Sequence, residues 1–345
     1  MFELIVFKKM ANTPITIKDL AKRLNISVST VSRALRHASD INPETKDAVL
    51  KLAQELNYQP NLMAQGMVKG KSKMIGIVVP FIHSNYFSEA LSGMTETANE
   101  FGYHLLLCQS NEDVDQENKS INKLIACRVD GLLISISKDT EDAAILENVR
   151  KMGIPIVMFD RTLPDFICNK VIVDEYEGAF KAVEHLIKKG CKRIAHFAGP
   201  VHTSVSTNRM KGYSDALTKH NLPINQKHIV RCNAFEEDAL QGIKKIIQSD
   251  PLPDGIFFIN DLSAITAMGF LRKKGINIPG QIKIAGFNGD PVSAMVDPSL
   301  TTVIQPGYEV GKLGMRMLID EIDSPTTNYQ EIQLRTQLII RNSSK

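Results

Sequence analysis

The sequence has no tryptophan, few aromatic residues and no cysteine framework. Aromatic residues make up 6% of the chain, and its five cysteines stand far apart without a CxxC pair. An odd, scattered set of cysteines argues against a disulfide-stapled fold or a zinc finger, so we expect reduced, mostly buried thiols. The eight histidines show no metal-binding spacing such as HExxH. We therefore expect no metal site and no cofactor.

The chain also lacks a long hydrophobic run. No apolar stretch approaches the roughly 20 residues that span a bilayer, and the apolar run within residues 1–7 is too short for a signal peptide. These absences predict a cytoplasmic protein with no membrane partner. Residues 1–9 carry no recognisable motif, so a translation start at Met10 is an alternative to a start at Met1.

The positive charge is concentrated at the start of the chain. The 345 residues suggest two or three domains, and 43% hydrophobic with 23% charged residues is ordinary for a globular protein. Residues 1–73 hold 12 Lys+Arg against 6 Asp+Glu, whereas the remainder holds 29 basic and 32 acidic residues. A small basic segment before a mildly acidic body suggests a nucleic-acid partner for that segment.

Three short helices are predicted in this basic segment. Thr16 precedes apolar residues at helical spacing, and Asp19 stands where a capping box places its acidic residue. Ser27 can cap a second helix, and Asn42 with Pro43 at the first helical position begins a third. Three helices with a tight turn between the first two are typical of a helix-turn-helix head, and a ligand-free helical bundle remains the alternative.

Two runs of residues carry a family resemblance. Residues 16–35, TIKDLAKRLNISVSTVSRAL, closely resemble the headpiece of the LacI/GalR family of bacterial repressors, and residues 56–61, LNYQPN, resemble the signature that leads into the family's hinge helix. The resemblance continues to about residue 340. It implies a ligand-responsive transcription regulator, expected to be a repressor, that binds double-stranded operator DNA as a homodimer.

The second helix of the head carries the predicted base contacts. A recognition helix presents its N-terminal residues to base edges in the major groove. Here these residues are Val28, which suits a thymine methyl, and Ser29, and Arg33 one turn later can donate two hydrogen bonds to guanine. The expected phosphate contacts are Ser27, Thr30, Ser32 and Asn61, for which a cap or a solvated side chain is the alternative.

The hinge segment resembles the family's minor-groove helix. The resemblance implies DNA contacts at Ala64 and Met67, with Met67 at the position of the residue that wedges open a base step. Gly66 weakens this helix by about 1 kcal/mol relative to Ala. Residues 66–72, GMVKGKS, superficially resemble a P-loop, but one residue is missing between the glycines and the segment follows a helix, which excludes an NTPase.

The body of the chain alternates short apolar runs with amphipathic helices. The runs lack alternation and are rich in Ile, Val and Leu, as buried parallel strands are. We predict strands at 75–79, 103–107, 131–136, 154–159, 194–198, 255–259 and 282–287, and helices at 87–101, 175–189 and 261–274. The run that begins at Asp130-Gly131 recurs at Asp254-Gly255, which suggests two similar lobes.

The resemblance implies a two-lobed, periplasmic-binding-protein-like core of parallel sheets, so the predicted fold class is α/β with an all-α headpiece. The predicted domains are a headpiece at 14–59, a hinge and linker at 60–73, and a core at 74–345. The chain is expected to cross between lobes near Val173, Val303 and Gln330. Lobe 1 then takes about 74–173 and 303–330, and lobe 2 about 174–302 and 331–345.

Ligands of open α/β sheets bind beyond the carboxyl ends of strands, which places a small-molecule effector between the lobes. Planar carboxylate, guanidinium and carboxamide groups around an aromatic ring suit the vicinal hydroxyls of a sugar or sugar derivative. The predicted effector residues are Phe87, Ser135, Ser137, Asp160, Arg161, Arg209, Asn260, Asp261, Asn288 and Gln305. Taken alone, a pair such as Asp160-Arg161 is more often a strand-end ion pair than a ligand site, but its position in the family pattern favours the ligand site. Asn288 replaces the Asp of some sugar-binding relatives.

Other functions remain as alternatives at this stage. A solute-binding receptor would use the same core but would need export and would not need a DNA-binding head. A nucleobase-responsive regulator would keep the head and change the effector. An enzyme is not expected, because no nucleophile–base pair, metal set or phosphate loop stands out in the sequence.

Overall fold

The computed structural model describes residues 15–59, 71–232 and 236–345, with the side chain of Glu236 left aside. These residues belong to two compact units, and the division between the units lies between Ser72 and Lys73 along the sequence. The first unit is helical and the second is α/β. Within the described ranges, no helix is long and apolar enough to cross a membrane.

The first unit is the predicted three-helix headpiece. Its helices are α1 Ile17–Leu24, α2 Val28–Leu35 and α3 Pro43–Glu55. Thr16 and Asp19 form the predicted capping box, in which the Thr16 backbone N–H donates to Asp19 Oδ2 at 2.8 Å. Ser27 and Asn42 accept backbone N–H groups at the starts of α2 and α3, at 3.1 and 2.8 Å. The helices bury one shared core of Leu20, Ala21, Val31, Ala34, Val49 and Ala53.

The second unit contains two six-stranded sheets. Its strands in the described residues are β1 Met74–Val79, β2 His104–Gln109, β3 Gly131–Ile134, β4 Ile156–Phe159, β5 Asn169–Val173, β6 Ile194–Ala198, β7 Ile229–Arg231, β8 Gly255–Phe258, β9 Lys283–Asn288, β10 Thr301–Ile304, β11 Glu331–Leu334 and β12 Gln337–Ile339. The first sheet has the order β11-β5-β4-β3-β1-β2 and the second β12-β10-β9-β8-β6-β7. All neighbouring strands are parallel except β10 and β12.

Helices pack on both sheets and define two lobes. Their bounds are α4 Asn85–Glu100, α5 Val114–Ala126, α6 Ala144–Lys151, α7 Glu175–Lys188, α8 Ser204–Lys219, α9 Glu236–Ile246, α10 Asp261–Lys273, α11 Val292–Met295 and α12 Gly307–Asp323. Helices α4, α5, α6 and α12 pack with the first sheet and form lobe 1. Helices α7 to α11 pack with the second sheet and form lobe 2.

All seven predicted strands are present, and no strand end differs from its predicted position by more than two residues. The sequence did not indicate the other five strands, which are β5, β7, β10, β11 and β12. These strands are only three to five residues long, and β7, β11 and β12 also lie at sheet edges. Strands this short do not form conspicuous apolar runs. One boundary needs correction. The chain crosses to lobe 2 for the last time at residues 335–336 and not near Gln330, because residues 331–334 pair with β5 in lobe 1.

The sequence repeat marks equivalent positions in the two lobes. Asp130 stands just before β3, and its carboxylate accepts the backbone N–H of Lys73 at 2.9 Å. Asp254 stands just before β8, and its carboxylate accepts the backbone N–H groups of Lys192 and Arg193 at 2.9 and 2.8 Å. Each aspartate therefore ties the start of one central strand to the start of its neighbour.

A close helix contact holds lobe 1 together at the back of its sheet. Helix α12 packs lengthwise against α4, and Gly311 lies directly on the backbone of Ala90. A Cβ at Gly311 would collide with the Ala90 carbonyl oxygen, and one at Gly93 would collide with the carbonyl oxygen of Tyr308. Glycine is required here because the two helix backbones touch.

Candidate functional site

The N-terminal end of α2 is accessible, as a DNA-reading helix requires. Val28 is 41% exposed, and Ser29 and Arg33 are also exposed. The Arg33 guanidinium forms an ion pair with Asp40 on the surface of the headpiece. To contact a DNA base, the Arg33 guanidinium would have to share the Asp40 carboxylate with that base or release it.

The hydroxyl groups around the start of α2 have mainly local partners. Ser27 Oγ caps the helix and lies 2.6 Å from Ser29 Oγ and 2.8 Å from Thr30 Oγ1. Ser32 is half-buried, and its carbonyl oxygen accepts Arg36 Nε at 3.1 Å. The other predicted DNA contacts, Asn61, Ala64 and Met67, lie outside the described residues, as does Gly66.

The predicted effector residues converge on a cleft between the lobes of the second unit. Asp160 follows β4, Asn288 ends β9, and Gln305 follows β10, so the carboxyl ends of strands from both sheets face this cleft. The cleft has an empty volume of about 970 Å³, part of it open to solvent. Eight of the ten predicted effector residues line it: Phe87, Asp160, Arg161, Arg209, Asn260, Asp261, Asn288 and Gln305.

Arg209 is the most completely buried cation of the cleft. Its Nε donates to Glu175 Oε2 at 2.6 Å, its Nη1 donates to the Ile259 carbonyl oxygen, and its guanidinium carbon lies 3.7 Å from the centre of the Phe287 ring. Gln305 Nε2 donates to the other oxygen of Glu175 at 2.8 Å. Burial raises the pKa of Glu175, and Arg209 opposes this rise. Arg209 and Gln305 are therefore held in place by one buried carboxylate.

Glu175 was not predicted as a site residue. It begins α7 directly after the first crossover, and the sequence marked it only as the start of a helix. The position of the crossover was the available signal, because it brings Glu175 behind Arg209 and Gln305 of the cleft wall.

On the opposite wall, Arg161 pairs with another carboxylate that the sequence did not indicate. Arg161 Nη1 donates to both oxygens of Glu112 at 2.8 Å, whereas its Nε lies 4.0 Å from Asp160 Oδ2. Glu112 lies in the loop after β2 with a φ of 61°, and Asp160 has a φ of 59°. Both residues adopt the left-handed conformation that L side chains seldom use, which is often found at functional sites.

Asp160 is the least well paired acid of the cleft. Its side chain is 8% exposed, and its Oδ2 accepts the Ser135 hydroxyl at 3.3 Å. Burial raises the pKa of Asp160 to about 6, a rise that Arg161 opposes. This carboxyl group therefore keeps hydrogen-bonding capacity for a molecule in the cleft.

Asp261 lines the cleft and also holds a loop of lobe 2. It is fully buried, and its two oxygens accept the Thr302 hydroxyl at 2.6 Å and the Asp290 backbone N–H at 2.7 Å. Burial raises the pKa of Asp261 to about 7. Asp261 thereby anchors the loop that begins with Asn288 at a φ of 104°, and its contact with an effector stays a prediction. Asn260 caps α10 through Ser263 N at 2.8 Å.

The two predicted serines do not reach the cleft surface. Both are buried, and the Ser135 hydroxyl is taken by Asp160. Ser137 Oγ lies 2.7 Å from Ser110 Oγ, and its backbone N–H donates to Glu117 at 2.5 Å. Hydrogen bonds within lobe 1 therefore use both side chains, and their contact with an effector stays a prediction.

Aromatic side chains at the start of α4 and just before it form one wall of the cleft. Phe87 is the predicted ring, and Phe81 meets it edge-to-face at 5.5 Å while His83 stacks on Phe81 at 4.7 Å. Tyr86 also lines the cleft and is 3% exposed, but its hydroxyl has no hydrogen-bond partner within the described residues. Burial raises the pKa of Tyr86 well above its usual range, so its hydroxyl is a neutral donor.

The described residues of the cleft do not form a metal-binding cluster. Among the residues that the structure describes, no group of three His, Cys, Asp or Glu side chains could hold a metal ion. The polar groups of the cleft instead include two guanidinium–carboxylate pairs, the less well paired carboxyl group of Asp160 and the carboxamides of Asn260, Asn288 and Gln305.

Comparisons with known proteins match both units. A family model described as bacterial regulatory proteins, lacI family, matches residues 16–61. A second, described as periplasmic binding proteins and sugar binding domain of LacI family, matches residues 72–342. The ribose operon repressor of Halalkalibacterium halodurans is 32% identical over 331 residues, which cover 96% of this chain and 97% of the relative.

Two solved structures extend the comparison. The lac repressor dimer bound to operator and the anti-inducer ONPF has a TM-score of 0.86 at 23% identity, covering 96% of this chain and 99% of its own, a likeness of fold. A periplasmic binding protein/LacI transcriptional regulator from Alkaliphilus metalliredigens QYMF, complexed with D-xylulofuranose, has a TM-score of 0.70 at 29% identity and covers 79% and 99%. The chain therefore belongs to the LacI family of bacterial regulatory proteins, as a DNA-binding transcription regulator with a ligand-binding core.

Proposed function

We propose that the protein is a repressor whose affinity for operator DNA changes when a monosaccharide occupies the interlobe cleft. One observation carries this proposal. Arg161, Arg209, Asp160, Asn288 and Gln305 line a single cleft that also has aromatic walls. Planar polar groups can each make paired hydrogen bonds to neighbouring hydroxyls, while an aromatic ring covers the apolar face of a sugar.

The similar proteins support a small sugar. One is a ribose operon repressor, and another was solved in complex with D-xylulofuranose, so both names refer to pentoses. The buried, largely hydrogen-bonded polar groups of this cleft favour a ligand of that kind. A ligand that lacked hydroxyl groups would leave buried donors and acceptors without partners, which is costly.

The headpiece is proposed to read operator DNA through α2. Val28 and Ser29 are exposed in the first turn of this helix and Arg33 is exposed in its last turn, which suits contact with base edges. Ser27, Thr30 and Ser32 are proposed to contact phosphates. We keep the minor-groove role of Asn61, Ala64 and Met67 as a proposal from the family resemblance. A homodimer would place two heads on a palindromic site.

Effector binding is proposed to act through the angle between the lobes. Asp160 and Arg161 belong to lobe 1 and Asn288 to lobe 2, so one ligand can contact both walls. The three crossovers, near residue 174 and at 305–306 and 335–336, are the points about which the lobes would turn. A change of this angle would alter the spacing of two hinge segments in a dimer and bias their folding on DNA.

We also propose that the cleft binds its ligand without transforming it. Arg161 and Arg209 are each paired with a carboxylate of the protein, an arrangement suited to recognition. The relatives that match the whole chain are regulators, and operator binding places the protein in the cytoplasm. A turnover assay with each ligand that binds would reveal any chemical change.

The Tyr86 hydroxyl offers a direct test of the proposed site. The operator is first selected from random-sequence DNA with the full-length protein, and sugars are screened by thermal stabilisation, since a bound ligand stabilises the native state. Tyr86→Phe removes only a hydroxyl that has no hydrogen-bond partner in the described part of the chain, so folding stability should persist. Ligand affinity should fall about 5- to 10-fold, as for the loss of one hydrogen bond.

Tyr103→Phe is the matched control. The Tyr103 hydroxyl is also buried without a hydrogen-bond partner in the described residues, but it lies in lobe 1 away from the cleft. This variant should keep wild-type ligand affinity and wild-type response of operator binding, measured by fluorescence anisotropy. Unchanged affinity in Tyr86→Phe, or the absence of any stabilising sugar, would contradict the proposal.

A further inference from the structure

We propose that the cleft selects an uncharged sugar and rejects the same sugar once it is phosphorylated, because its two guanidinium groups are already neutralised by carboxylates of the protein. This inference rests on the proposed function and deepens it. It specifies which chemical form of a metabolised sugar would signal to this regulator.

The charges that line the cleft do not favour an anion. Its lining contains two guanidinium groups and four carboxyl groups, and within the described part of the chain it contains no lysine. The charged residues are Arg161, Arg209, Glu112, Asp160, Asp261 and Asp290, with the imidazole of His83 at the exposed edge. Glu175, directly behind Arg209, adds a further carboxyl group.

Protonation of the three acids with raised pKa values does not make this region positive. The pKa is about 6 for Asp160 and about 7 for Asp261, and burial also raises the pKa of Glu175. With all three protonated, the carboxylates of Glu112 and Asp290 still balance the two arginines. A phosphate group would bring a charge of about −1.5 to −2 into a region without net positive charge.

The geometry of the arginines leads to the same result. Arg161 Nη1 lies 2.8 Å from both oxygens of Glu112, and Arg209 Nε lies 2.6 Å from Glu175. The side chains of Glu112 and Glu175 are 10% and 5% exposed, so these pairs are shielded from solvent. A guanidinium group paired in this way keeps N–H donors for a neutral hydroxyl but has little charge left to balance a phosphate.

Helix N-termini, the other usual anion sites, are capped where they face the cleft. Helices α4, α8 and α10 begin there, and the capping side chains are those of Ser84, Thr203 and Asn260. They accept first-turn backbone N–H groups at 3.3, 3.3 and 2.8 Å. These donors would otherwise contribute to phosphate binding.

The test compares free and phosphorylated sugars on the full-length wild-type protein. The probes are D-ribose with D-ribose 5-phosphate, D-xylulose with D-xylulose 5-phosphate, and D-glucose with D-glucose 6-phosphate. Affinity is measured by thermal stabilisation and by the change in operator binding. The best free sugar should bind roughly 100-fold more tightly than its phosphate, since like charges placed together oppose binding strongly.

The outcomes separate this inference from the proposed function. A phosphorylated sugar that binds as tightly as its free form, or more tightly, overturns the inference and leaves the proposed monosaccharide site standing. If neither form of any sugar binds, the proposed function fails and the inference fails with it.

A variant tests the cause of the selectivity. Glu112→Gln frees Arg161 from its carboxylate and should improve the affinity for the phosphorylated sugar relative to the free sugar by about tenfold. Asp139→Asn, an exposed loop residue in lobe 1, removes one acid without touching the cleft and should not change this ratio. An unchanged ratio in a folded Glu112→Gln protein overturns the charge argument, and the wild-type comparison decides the selectivity even if this variant does not fold.

Discussion

Asp160→Asn should make the ligand-free protein more stable at neutral pH while weakening its ligand binding. Burial raises the pKa of Asp160 from 3.8 to about 6, so an ionised carboxylate at this position costs folding free energy. Asparagine can still accept the Ser135 hydroxyl, and it tolerates the left-handed φ of 59° better than most residues. The substitution therefore removes the charge and leaves the local structure in place.

The size and the pH dependence of the effect follow from the two pKa values. At roughly 1.36 kcal/mol per pKa unit, the difference between 3.8 and about 6 corresponds to about 3 kcal/mol. Between these pH values the native protein holds a proton that the unfolded chain has lost, so wild-type stability falls as pH rises. Asp160→Asn should thus gain up to about 3 kcal/mol above pH 6 and nothing near pH 4.

The assay is urea unfolding of the full chain, followed by circular dichroism at several pH values from 4 to 7.5. Asp261 titrates in both proteins, so its contribution cancels in the difference between them. Asp165→Asn changes an exposed acid of the same loop and should leave stability unchanged throughout. Equal stability of Asp160→Asn and wild type at pH 7.5, or a difference that does not vary with pH, would refute the reasoning.

Three further substitutions test other parts of the molecule. Arg33→Ala should weaken specific operator binding by about 1–3 kcal/mol and relax base preference, and an equal loss on every DNA sequence would mark Arg33 as a phosphate contact. Arg209→Ala should abolish the effector response while the ligand-free operator affinity, measured by anisotropy, is kept. The same substitution should lower the free energy of unfolding by about 3–5 kcal/mol, because Glu175 stays buried without its cation. Gly311→Ala should destabilise the core by roughly 1–3 kcal/mol in urea unfolding, since its Cβ would collide with the α4 backbone, and an unchanged midpoint would contradict that packing.

The local structure of the protein was largely predictable from its sequence. Helix starts at Thr16, Ser27 and Asn42 depend on side chains that cap the backbone within two or three residues, so the short-range pattern contains the whole interaction. The central strands of both sheets are buried on both faces, so they are uniformly apolar and easily identified. The repeat at Asp130 and Asp254 was visible for the same reason, because each lobe uses the same local anchor.

Much of the site could be assembled from topology and family resemblance, since residues after the carboxyl ends of parallel strands meet at one edge. The partners within the site could not be predicted in this way. Glu112 and Arg161 are 49 residues apart, and Glu175 and Gln305 are 130 residues apart. Which of these side chains come into contact depends on how the loops and lobes pack, and no local spacing in the sequence encodes that packing.

The sequence by itself therefore determined the headpiece, the alternating α/β core and eight of the residues that line the cleft. Only the tertiary structure decided how these residues are used. It used Asp261 to hold a loop, buried Ser135 and Ser137 within lobe 1, and left the Tyr86 hydroxyl without a hydrogen-bond partner among the described residues. The physical reason is that burial and hydrogen-bond pairing are properties of the packed interior, where distant segments compete for the same donors and acceptors.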